Sequence, residues 1–261
     1  EDGMTACDIH AAPRPGLRAT GALVGAELRM VTRDTAGLIV PIALPVLVLV
    51  MNGSGTSAEI VGPGAITAFD RFVLPLALTM IVAVIGIVNM PSFLALYRKS
   101  GVLKRLSTTP IGPTQVLAAQ VITSAVQATL GIGIALSTAA LLFGITPPHN
   151  PILVAAILVL GAAAMYSLGI VVAAVAPTAN SAVAIGLTLF LILGAGGGLF
   201  GPVADLPGPL IAVGELLPFG ATVTALGSAW AGTPIDIAGP IGLGATVVVG
   251  TACAIRLFRW S

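Results

Sequence analysis

Gln120, Ser124, Gln127, Gly131 and Thr138 recur along one otherwise apolar stretch. Their spacing keeps them within a narrow arc of one helix face. Uncharged polar groups on such a face suit either a hydrogen-bonding path for a cargo or a seam between packed helices, where small and polar residues also gather. Residues 97–120 read YRKSGVLKRLSTTPIGPTQVLAAQ, with Arg98, Lys99, Lys104 and Arg105 interleaved with Val102, Leu103 and Leu106. Pro110 and Pro113 follow as breakers, so a short amphipathic helix ending before a proline-fixed turn is predicted. Topogenic charge or attraction to anionic lipid accounts for the cations, but not for the apolar positions or for the Thr109–Pro113 run. No covalent chemistry is expected. The chain has no Gly-x-x-x-x-Gly-Lys-Ser/Thr pattern and no Gly-x-Ser-x-Gly, so neither a nucleotide site of its own nor a nucleophile motif is predicted. His10 and His149 stand apart from any cysteine or carboxylate cluster, and no metal site is predicted. The glycines at 194, 196, 197 and 198 lie in an apolar run, which points to close helix packing or a helix break.

The elements carrying these residues follow from the distribution of charge. From Leu106 to Ile255 there is no lysine or arginine, and the whole chain is 57% hydrophobic and 8% charged, with a mean hydropathy of +1.08. Such a chain is read as a polytopic membrane protein, all-α, with lipid as its solvent. Nothing suggests nucleic-acid binding. Six runs reach the length of a span: Thr35 to Met51, Phe72 to Met90, Val121 to Phe143, Ile152 to Ala176, Ser181 to Phe200 and Ile237 to Ile255. The first carries Pro41 and Pro45, so a kink is predicted, with neighbouring helices satisfying the freed carbonyls. Leu210 to Ala231 imitates a seventh span, but Glu215 and Pro218 interrupt it. A pair of short re-entrant or interfacial helices is therefore expected there.

Six crossings place ten of the eleven basic residues on one face, read as cytoplasmic together with both termini, in a plasma (inner) membrane. Arg71 alone falls outside, beside Asp70, which is expected to offset its charge. Leu17, Val24, Leu28 and Val31 recur at helical spacing, with Arg18, Glu27, Arg29 and Arg33 mostly elsewhere around the wheel, which predicts an interfacial helix before the first span. Residues 1–16 are expected to be a disordered tail, no cleavable signal is expected, and Cys7 and Cys253 are read as free thiols. Residues 17–261 form the membrane domain.

The segment around Arg98 to Pro110 resembles the cytoplasmic loop of type 2 ATP-binding-cassette (ABC) exporter permeases, especially the drug-resistance (daunorubicin-type) branch. Gly101, Leu103, Leu106, Thr109 and Pro110 carry the match. Leu206-Pro207, Leu217-Pro218 and the run from Ala225 to Gly232 resemble the family's external segment between spans five and six. The chain departs from many relatives at Lys99 and Ser100, where they carry glutamates, and at Leu217-Pro218 and Ala221. The resemblance implies a permease moving a hydrophobic or amphiphilic cargo outward. ATP and Mg would be bound by a separate ABC ATPase, not by this chain. It also implies a second permease copy or a similar permease, and makes Arg98, Lys99, Gly101, Leu103, Lys104, Arg105, Leu106, Thr109 and Pro110 the ATPase-coupling residues. Gln120, Ser124, Gln127 and Thr138 are the candidate substrate path. An ion-coupled secondary transporter is the alternative, although it usually places ionisable groups near the midplane; a non-transporting scaffold is a third reading.

Overall fold

The computed structural model describes residues 17–56, 60–61, 66–99 and 113–257. Among them the helices are α1 (Leu17–Arg33), α2 (Thr35–Thr56), α3 (residues 69–99), α4 (Pro113–Phe143), α5 (Pro151–Val175), α6 (Ala179–Gly196), α7 (Gly208–Leu216), α8 (Pro218–Ala231) and α9 (Ala238–Leu257). Extended pairing in the described residues is an isolated antiparallel bridge between Ile60 and Thr67. Six helices, α2 to α6 and α9, are long and apolar enough to cross a membrane.

Local chemistry sets the helix ends. Asn150 accepts the Leu153 N–H at 3.0 Å, with Pro151 in the first turn of α5, where the missing proline N–H has no cost. Thr178 and Ser181 form a reciprocal capping box at the start of α6. Asp236 accepts the Ala238 N–H at the start of α9. Gly232, at φ 70°, closes α8 in the left-handed conformation that favours glycine.

The third helix is the axle of the bundle. Its apolar window is 83% buried, against 22 to 44% for the other five spans. It packs on α2 and α4 on one side and on α5, α6 and α8 on the other. Two π-helical stretches, Phe69–Val73 and Val84–Asn89, interrupt its α-helical course. At the second, backbone meets backbone: a Cβ on Gly169 of α5 would strike the Gly86 carbonyl, and one on Gly186 of α6 would strike that of Ile87.

Three expectations need correction. The second span is longer than Phe72 to Met90, because the helix continues to Lys99 and takes in Tyr97 and Arg98. Likewise α4 begins at Pro113, not near Val121. In α3 the extension arises where Tyr97 and Arg98 find partners on α1 and α5, and in α4 it is a first turn begun by Pro113, so hydropathy alone ends both runs too early. In α1 the packed face includes Glu27, which is buried, with Leu23 and Met30 packed at the same end; the expected stripe had placed Glu27 on the polar side.

Helix α2 runs through both prolines. Gly37, Pro41, Pro45, Leu49 and Gly53 form a single buried i+4 ridge, so the prolines and glycines are the packing surface.

The short helices α7 and α8 are bent by 83° at Leu217. Gly214 of α7 lies against Gly196 at the end of α6, and Gly232 after α8 lies against His149 in the α4–α5 connection. The break between them thus sits beside the end of α6, and α8 ends at the α4–α5 connection. The glycine run at 194–198 serves both as a helix end and as a contact: Gly197 abuts Phe219 and Gly220. The bundle accordingly has a terminal end, with α1, Arg98 and Arg256, and a far end, with Arg71, the 197–207 connection and α8.

Candidate coupling face and far-end cavity

At the terminal end, Leu23 and Met30 pack against Tyr97 and Val116. The Tyr97 hydroxyl donates to Glu27 Oε2 at 2.5 Å. Burial pushes the Glu27 carboxyl above its ordinary value, and the Tyr97 hydrogen bond partly opposes that shift. Arg98, the next residue, turns its guanidinium to the last carbonyls of α5, donating to Ala174 O at 3.2 Å and to Ala176 O. A cation at a helix C-terminus satisfies orphan carbonyls and complements the dipole. The last turn of α3 is therefore held from two sides, by α1 through Tyr97 and by α5 through Arg98. Lys99 ends the helix. The remaining predicted coupling residues, Gly101, Leu103, Lys104, Arg105, Leu106, Thr109 and Pro110, lie outside the described residues, as do residues 1–16.

The polar stripe of α4 faces the interior. Gln120, Ser124 and Gln127 are buried, together with Thr123, which the sequence reading did not single out. Gln127 Nε2 donates to Gly37 O at 2.6 Å, and Asn89 Nδ2 donates to Gly37 O at 2.9 Å and to Gln127 Oε1 at 3.1 Å. Gly37 stands four residues before Pro41, so its carbonyl is the one that loses its intrahelical N–H to the proline. Two side-chain amides from α3 and α4 replace that donor. Gly131 packs near Ile81 and Ile42. Thr138 is half-buried and donates to Ile134 O of its own helix. Among the described residues, Gln120 Oε1 and Thr123 Oγ1 have no hydrogen-bond partner.

At the far end a cavity of about 810 Å³ opens between the first turns of α3, the residues 196–204 and the α7–α8 pair. Its wall is largely apolar, with Phe72, Leu76, Phe200, Val223 and several glycines in it, and among the described residues Arg71 and Glu215 are its charged lining. Asp70, expected to offset the Arg71 charge, is also a hydrogen-bond acceptor. Its carboxylate accepts from Thr67 N and Oγ1 and from Thr146 N, because those amides would otherwise be left without partners at the helix start and the α4–α5 connection. The Arg71 guanidinium lies 5.7 Å from the centroid of the Phe72 ring. Glu215 is exposed.

Among the described residues, no three histidine, cysteine or carboxylate side chains gather as a metal site would require. Residues 18–229 match the sequence family described as ABC-2 type transporter. Comparison with curated proteins returned no match. The match spans α1 to α8, and the chain belongs to the ABC-2 type transporter family: it is a multi-pass, all-helical permease component of an ABC transporter.

Proposed function

We propose that this family member is the permease of an exporter of hydrophobic or amphiphilic cargo, of the drug-resistance kind. It is driven by a separate ATPase that binds ATP and Mg and docks at the terminal end. The terminal end then faces the cytoplasm, with both termini, and the far end faces outward across the plasma membrane. Arg98 to Pro110 is the coupling segment, with Leu103 and Leu106 as apolar anchors and the basic residues supplying steering and orientation. Two permeases, identical or similar, form the pathway, and ATP binding shifts them between states to the extent that the ATPase binds those states unequally.

The observation that supports this most is the anchoring of Tyr97 and Arg98. The coupling segment departs from the last turn of the most buried helix, and that turn is tied to α1 and α5, so a push at the segment is delivered to the centre of the bundle. Spans that carry few charges suit an amphiphile rather than a multiply charged polymer. The test is a Leu103→Asp, Leu106→Asp double variant, expected to insert and fold normally but to lose ATPase copurification and cargo-stimulated hydrolysis. Retention of both in the folded variant refutes the coupling assignment.

A further inference from the structure

The geometry points to the far-end cavity as a binding site for an anionic amphiphile, its head group at Arg71 and an acyl chain along the wall formed by Phe72, Leu76 and Val223. The proposal rests on the exporter reading only for the direction of traffic, since binding itself needs no ATPase. Its volume, about 810 Å³, is in the range of small-molecule pockets, which are apolar with a few placed polar groups. Phe72 and Phe200, both lining it, are 57% and 70% exposed, so an apolar chain meets aromatic surface at the mouth.

The charge argument selects an anion. Arg71 is half-buried over an aromatic ring, and Asp70 beside it is committed to Thr67 and Thr146. Glu215 also lines the cavity but is more exposed than Arg71. Among the described residues the Arg71 guanidinium makes no hydrogen bond or ion pair to either carboxylate, and an anionic head group in the cavity supplies it with a direct partner.

The test uses the full chain in phosphatidylcholine nanodiscs with two photoreactive probes, a diazirine palmitic acid and its alcohol. Labelled peptides are mapped by mass spectrometry. The acid should label residues 199–204 and 223–228 about tenfold more strongly than the alcohol, the effect of losing one charge-assisted contact. Arg71→Gln should bring the acid down to the level of the alcohol, while Arg71→Lys keeps most of the preference. Glu215→Gln should leave acid labelling intact or raise it. Thr224→Trp, on an exposed position of α8 that lines the cavity, should block both probes without disturbing the core. Equal labelling by acid and alcohol in the native chain, or acid labelling untouched by Thr224→Trp, overturns the proposal. Adding phosphatidylglycerol to the nanodiscs separates the sources: competition identifies a bilayer lipid as the anionic occupant, and undiminished labelling identifies a free acid. Failure of labelling leaves the exporter reading to be decided by the Leu103, Leu106 variant.

Discussion

Pro41 explains why Gln127 and Asn89 must be polar. Without the proline N–H, Gly37 O would sit bare in a buried seam, at the cost of an unmade hydrogen bond in an apolar medium. Both amides donate to it instead. Gln127→Leu should therefore lower stability by about 1 to 3 kcal/mol, read as a drop in melting temperature of the detergent-purified protein. In a Pro41→Ala background, where residue 41 again supplies a helical N–H, the same substitution should cost measurably less. Equal costs in the two backgrounds would refute this account of the seam. The polarity of Gln127 was legible from the chain, and so was the need for neighbours to satisfy a proline-freed carbonyl. Their pairing was not, because residues 37, 89 and 127 meet only through tertiary packing. Glu27 was misplaced for a related reason: a carboxylate on an amphipathic helix is ordinarily solvated, and only the Tyr97 hydroxyl, seventy residues away, accounts for its burial.

Among the helices, α3 shows what hydropathy can and cannot reveal. Continuous apolar runs of span length located all six candidate spans, because lipid demands that every backbone group be paired within the segment. The ends of α3 and α4 were missed because tyrosine, arginine and proline read as loop residues until a partner or a first-turn position explains them. The π-helical stretch Val84–Asn89 was also invisible, since its Gly86 is a lone glycine in an apolar run until Gly169 and Gly186 on other helices are seen to meet that stretch. At that stretch the neighbours are backbone, which cannot rotate away as a side chain can. Gly169→Val should thus cost about 3 kcal/mol or more, the upper end for overpacking, and collapse the monodisperse elution peak. Gly244→Val, on α9 where an added Cβ meets nothing within 4 Å, should elute and melt like the native chain. If both variants behave alike, close backbone approach is not what holds α3 in place.

On the scale of the whole molecule, α3 joins the two candidate sites: Arg71 begins it at the cavity and Arg98 ends it at the coupling face. Such an arrangement lets force applied at one end reach the other through a single buried element, provided that the bundle crosses the membrane an even number of times. The broken pair α7–α8 decides that parity. If it traverses the bilayer, Arg256 lies opposite Lys104; if it turns back at the bend beside Gly196, the two lie on one side. Charge placement favours the turned-back arrangement, and the 83° bend is compatible with it, since a helix broken at Leu217 does not span as one rod. In a chain with Cys7 and Cys253 replaced by serine, Lys104→Cys and Ser261→Cys should react with an impermeant maleimide only from the cytoplasmic side, and Asp205→Cys only from outside. Labelling of Lys104→Cys and Ser261→Cys from opposite faces would remove the common docking side on which coupling depends. Labelling of Asp205→Cys together with them would place the cavity on the side of the ATPase, where it could receive cargo but not release it outward.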